Sequence, residues 1–220
     1  MGDVKRRAVV ATAICGSLSP PVFTGAWLVG GLVQQDYSLR REDISALAAF
    51  DAESAWLMIA GLVVAGLLTL AFAAGLRAEL GPGLGASLGC ALVAFVGLGL
   101  VGLGLLRNDC SSLTEACEAR VAAGDVSWHH TAHDVLSAPV LAAAVVAPLV
   151  LGLRFSAAPR WRRLARVSLV AAPVLAVLFT LGGVEAIAGW DGVIQRVAAS
   201  VAFLWLEATA FHLLQLSARS

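Results

Sequence analysis

Residues 128–139, WHHTAHDVLSAP, hold three of the four histidines of the chain, followed directly by an aspartate. On a helix His129 and His133 lie one turn apart on a shared face, and Asp134 adjoins them. Two imidazoles and a carboxylate at that spacing are a partial ligand set for zinc or a related divalent ion. Asp36, Asp43, Glu185 or Asp191 would have to complete it. The same groups could instead move a proton, with His133 as acceptor and Asp134 or Asp43 orienting it. A structural reading stands beside both. Thr131 suits an N-cap, Asp134 falls at the third helical position near the positive end of the dipole, and Trp128 and the histidines suit a membrane interface. His212 lies about 30 Å deeper along the last apolar segment and cannot join the cluster, which excludes a multi-histidine oxidase site. No cofactor is indicated.

A second polar set lies in that last segment. Arg196, Ser200, Phe203 and Glu207 recur at spacings of four, three and four, one face of a helix. Arginine and glutamate inside a span usually face the bundle interior and often mark function. Arg196 is near enough to one end to snorkel. Glu207, about 24 Å in, must pair internally or stay neutral. The stretch YSLRREDISAL sets Leu39, Ile44 and Leu47 among charges, which predicts an amphipathic segment lying on the membrane surface. Its arginines could bind an anionic headgroup or pair with acids of neighbouring loops. Tyr37, Arg40, Trp190, Asp191 and Arg196 are the candidate ligand contacts, with Arg40 or Arg196 as an anion clamp. For acid-initiated cyclisation of an isoprenoid chain, a protonated Glu185 or Glu207 is the better acid.

The elements that would position these residues follow from composition. The chain has 220 residues, 59% apolar and 14% charged. Soluble domains run nearer half and a quarter. The apolar residues form blocks long enough to cross a bilayer, at about 8–33, 54–76, 84–106, 132–153, 164–183 and 192–216. Within lipid every amide needs an internal partner, so the blocks should be helices. The reading is a single all-α domain over 1–220, an integral bundle of six transmembrane helices. The first block is too long for an ordinary signal core, so a retained helix is expected. No basic, aromatic-interleaved patch points to nucleic acid.

Arginine sets the expected orientation. Lys5, Arg6 and Arg7 precede the first span, Arg77 falls in the turn after the second, and Arg154, Arg160, Arg162, Arg163 and Arg166 join the fourth and fifth. Arg219 lies in the tail. Both termini should be cytoplasmic, in the cell membrane. The acidic loops 34–53, 107–131 and 184–191 should then be extracytoplasmic. Cys110 and Cys117 fall on that oxidising side. Seven residues apart on one helix they would be about 10 Å apart, too far to bridge. A disulfide therefore requires Cys110 to precede the helix suggested by SSLTEACEAR, where Ser112 and Glu115 are spaced as a capping box.

Pro20 and Pro21 interrupt the first span and predict a kink, with Ser17 and Ser19 placed to repair the lost hydrogen bonds. Gly85 and Gly89 in the third span have the small-xxx-small spacing of close helix packing. No phosphate-binding glycine loop, nucleophile elbow or CxxC motif occurs.

The stretch QDYSLRREDISALAAFDAESAWLMIAGLVVAGLLTLAFAAGL, with HTAHDVLSAP and DGVIQRVAASVAFLWLEA, resembles the bacterial membrane family known as domain of unknown function 998. That resemblance covers nearly the whole chain and implies six helices without an established activity. A more distant similarity is to Frag/DRAM/Sfk-type membrane proteins, involved with lipid remodelling and trafficking. The doubled His129–His130 and the cysteine pair depart from the family pattern and inherit no role from it. The function expected is a membrane protein with a polar outer-leaflet cleft that binds or handles a lipid or other hydrophobic ligand, isoprenoids included. The alternatives are a membrane-embedded enzyme using the acid–base groups above, as lipid hydrolase, transferase or isoprenoid cyclase, and a small transporter.

Overall fold

A computed structural model describes residues 3–111, 115–182 and 189–218. They form α1 (Asp3–Val33), α2 (Ala55–Leu80), α3 (Leu84–Leu105), the short α4 (Glu115–Ala122), α5 (Trp128–Ser156), α6 (Arg162–Leu181) and α7 (Asp191–Ala218). Every helix but α4 is long and apolar enough to cross a membrane. The six expected spans are present, with several ends moved. α1 remains helical through Pro20 and Pro21. Ser17 donates to the Ala13 carbonyl a turn back, and Ser19 donates to Ala65 of α2 at 2.9 Å. Arg77 lies in the last turn of α2, not in the turn beyond it, and donates to the Gly81 carbonyl at 2.7 Å. The reversal into α3 is confined to residues 81–83, where Gly81 and Gly83 have φ of 69° and 138°. Side chains other than glycine rarely adopt such angles.

The six long helices close into a ring. α1 packs on α2, α2 on α3, α3 on α5, α5 on α6, α6 on α7, and α7 back on α1. Small residues let some neighbours touch through their backbones. A Cβ on Gly66 would lie 2.6 Å from the Gly97 carbonyl, and one on Gly97 would lie 2.8 Å from that of Gly66, so α2 and α3 admit no side chain there. Gly89 similarly seats Leu151 of α5.

The ring is filled by two layers. Phe72, Leu76, Leu151, Phe155, Trp161 and Leu213 pack toward the end that bears the termini. Phe23, Leu47, Met58 and Leu62 pack toward the other. Between them a void of about 50 Å³ remains beside Thr69, Val93 and Phe203. Ligand pockets are several times larger. The outer surface is itself apolar, with Leu18, Leu67, Leu98, Leu153 and Val170 exposed, as lipid contact requires.

Arg6 donates to the carbonyl of Ser217 at 3.0 Å, placing the two ends of the described chain together. The longer connections, 34–54 and 106–127, occupy the opposite end. The first of them packs its apolar residues on the bundle. Its 3₁₀ turn, Ile44–Ala48, enters the mouth of the ring, and Ile44, Leu47, Ala48 and Ala49 are buried. The amphipathic pattern is a plug whose apolar side faces the core, because the ring offers a deeper apolar site than the interface. In the second connection Cys110 precedes α4 and is disulfide-bonded to Cys117, with Cα atoms 5.8 Å apart. The expected Ser112 cap lies outside the described residues.

Candidate functional site

Each histidine of the cluster attaches the start of α5 to the chain leaving α3. The N-cap is Ser127, not Thr131: its hydroxyl accepts from the His130 amide, and the helix begins four residues before the apolar block. The Ser127 hydroxyl also donates to Asp109 Oδ1 at 2.7 Å, and its amide donates to Oδ2 at 2.6 Å. His129 Nδ1 donates to the Arg107 carbonyl at 2.9 Å, and the Asp109 amide donates to His130 Nδ1 at 3.1 Å. His133 Nδ1 donates to the Leu106 carbonyl at 2.6 Å. Carbonyls at the end of a helix lack intrahelical donors, and two of these imidazoles supply them. Asp109 is the hub. Burial pushes its carboxyl up, but the Ser127 amide and hydroxyl, with His129 and His130 beyond, outweigh that and hold it below the usual carboxylate range.

The residues of the metal alternative, His129, His133 and Asp134, each have other partners in this arrangement. His129 and His133 are bound to separate main-chain carbonyls, and Asp134 faces His130 Nε2 at 3.5 Å instead. Among the described residues no three His, Cys, Asp or Glu side chains converge to hold an ion.

The plug is held from α7 and from Arg107, just beyond the end of α3. Arg196, only 7% exposed, donates through Nη1 to the carbonyls of Leu39 at 2.9 Å and Glu42 at 2.8 Å. Its Nη2 donates to the Tyr37 hydroxyl, which in turn donates to the Asp43 carbonyl at 2.8 Å. Gln195 Oε1 accepts from the Ile44 amide at 2.6 Å. Gly192 is required beneath this contact, because a Cβ there would lie 2.5 Å from the Glu42 carbonyl and 2.8 Å from that of Leu39. From the other side Arg107 donates to Ala48 at 2.9 Å and Ala49 at 2.8 Å, and lies 4.0 Å over the Phe50 ring. Arg196 and Tyr37 thus fasten the loop to α7. Burial of Tyr37, only partly offset by Arg196, pushes its phenol up to about 12, so it remains a donor. Arg40 lies 5.3 Å over the Trp190 ring, pairing two of the candidate ligand residues with each other.

Between α5, α6, α7 and the plug opens a cleft of about 420 Å³. Asp43, His130, His133, Asp134 and Asp191 line its polar mouth with Asn108 and Gln195, and Leu141, Leu178, Phe179 and Ile194 form its apolar side. The spacing within 128–139 and the acids of two distant loops thus meet in one cavity. Burial raises the Asp43 carboxyl; Asp191 raises it further, Arg196 opposes, and Asp134 and Glu42 add to the rise. Among the described residues, no lysine or arginine lines the cleft. Within the cleft His133 is oriented by the Leu106 carbonyl. Glu207 lies half-buried in α7 without a hydrogen bond or ion pair among the described residues, and Glu185 falls outside them. Asn108, Gln195 and Arg107 carried no signal in the sequence.

Six apolar helices in a closed ring, with a polar cleft at one mouth, define a multi-pass helical membrane protein. The chain belongs to the DUF998 family, proteins of unknown function, which it matches over residues 17–212. No curated protein and no solved structure shows a significant match to it.

Proposed function

We propose that the cleft between α5, α6 and α7 binds an amphiphile with a cationic end, on the extracytoplasmic side of the membrane. The observation that carries this reading is the lining among the described residues: three carboxylates and two imidazoles at the mouth, an apolar side, and no lysine or arginine. Burial raises the proton affinity of Asp43, neighbouring carboxylates add to the rise, and an arriving ammonium offsets both. The apolar side faces the membrane-spanning part of the bundle and suits an alkyl or isoprenoid chain. The arginine asymmetry of the connections, and a disulfide at the cleft end, support the orientation.

The test is titration of the purified protein, in uncharged detergent, with an alkylamine and an alkyl sulfate of equal chain length. The amine should bind and the sulfate should not. Each carboxylate about 6 Å from the ammonium contributes about 1.4 kcal/mol at an effective dielectric of about 40, so Asp43→Asn should weaken the amine roughly tenfold. Affinity should also fall as pH drops through the raised Asp43 value, where the carboxylate becomes neutral. Equal binding of the two probes, or unchanged binding by Asp43→Asn, overturns the reading.

A further inference from the structure

The start of α6 is electrostatically uncompensated. Arg162 and Arg163 lie in its first turn, Arg166 follows one turn later, and the first turn contains no acid. A helix N-terminus is the positive end of the dipole, and its first amides lack intrahelical acceptors. Trp161 ahead of the helix supplies no side-chain cap. Arg160 is neutralised by Glu79 at 3.0 Å, but no ion pair reaches Arg162, Arg163 or Arg166 among the described residues. Apart from Glu79, which is paired with Arg160, the charges at this corner are positive.

A separate feature says what would sit there. Arg163 and Arg166 also stand at the head of a groove of about 750 Å³ between α6 and α7, walled by Val167, Val170, Val174, Val201, Leu204 and Trp205. The Trp205 ring is fixed in that wall by its Nε1–H bond to Ser168 at 2.9 Å. On their other side the same two arginines line a polar pocket of about 400 Å³ with Arg160, Arg162, His212 and Gln215. An apolar trough on the lipid-facing surface therefore ends in a cluster of guanidiniums, which bind phosphate through paired N–H donors. The positive-inside tendency explains arginines on one side of a membrane but not their junction with a trough.

We propose that the α6–α7 groove is a binding site for an anionic membrane phospholipid, its acyl chain along the valine wall and its phosphate between Arg163 and Arg166. The site lies at the end of the bundle opposite the acidic cleft and takes a ligand of opposite charge, so it stands or falls independently of that cleft.

Nanodiscs containing equal phosphatidylglycerol and phosphatidylcholine, with the full chain inserted, allow the test. Lipid retained on the protein after release is counted by native mass spectrometry. The wild type should retain phosphatidylglycerol in preference. The R163Q/R166Q variant should lose that preference by about twenty-five-fold, two contacts of about fivefold each at a charged membrane surface. The R163K/R166K variant keeps the charge and should retain part of the preference. Val170→Trp keeps both arginines, fills the trough, and should lose the bound lipid. Equal retention of the two lipids by the wild type overturns the proposal without reference to any variant. So does phosphatidylglycerol held undiminished by V170W, which would show a diffuse surface attraction with no groove.

Discussion

Arg196→Met isolates what holds the plug in the mouth of the ring. The substitution preserves much of the side-chain length and removes the guanidinium. The carbonyls of Leu39 and Glu42 lose donors at 2.9 and 2.8 Å, and the Tyr37 hydroxyl loses its own. Hydrogen bonds from a charged donor contribute about 1.5–3 kcal/mol each, so the two carbonyls together represent roughly 3–6 kcal/mol. Against this, the wild type buries a cation whose Nε has no partner, and losing that group recovers about 1–2 kcal/mol. The net loosening is therefore about 2–4 kcal/mol. It should fall on residues 37–50 and spare the bundle, because α1 and α7 still pack through Phe23 and Phe203, whose rings lie 4.5 Å apart. At about 1.4 kcal/mol per decade, the amides of Ile44 and Ala46 should exchange hydrogen roughly 30 to 1,000 times faster. Hydrogen exchange with mass spectrometry reads this directly. Arg196→Lys, a point charge without the fork, should restore only part of the protection. Protection within threefold of wild type in Arg196→Met would refute the reasoning and show that burial of Ile44 and Leu47 suffices.

Two further perturbations address the second connection. Asp109→Asn should lower exchange protection over 115–127 at neutral pH by roughly tenfold, one charged acceptor's worth. The wild-type contribution should be complete above the ordinary carboxylate value near 3.8 and vanish as pH falls through the lowered folded value; the variant should show no such acid step. Cys117→Ser should loosen α4 by about 2–3 kcal/mol, the loop-closure contribution of a short bridge, and should leave Cys110 open to a thiol reagent that the oxidised wild type resists. Labelling of Cys110 in the wild type before reduction would contradict the bridge.

The six spans were legible because long apolar blocks have one solution in lipid. Their ends were less so, because hydropathy registers where oil begins and not where hydrogen bonding begins. α5 starts at Trp128 because Ser127 caps it, four polar-flanked residues ahead of the apolar run. The bridge was legible as a condition, that Cys110 precede α4, and the chain meets it. His133, Asp134, Asp43 and Asp191 were singled out individually, and they share one cleft. Their partners were not legible. Which imidazole meets which main-chain atom depends on how the end of α3 lies against α5, and no spacing encodes that. The plug was misread for a related reason: alternation of Leu39, Ile44 and Leu47 among charges identifies two faces without saying whether protein or lipid covers the apolar one.

Ring closure has a consequence for biosynthesis. Each helix from α2 to α6 finds both flanks in its immediate sequence neighbours among the long helices, so contacts can form in the order the ribosome delivers them. The seam between α1 and α7 is the exception. Its first half leaves the translocon earliest and its second half last, so throughout translation α1 keeps an unmated flank in the bilayer. Truncated chains ending before residue 191 should therefore expose that flank to chaperones and membrane proteases that the finished ring evades.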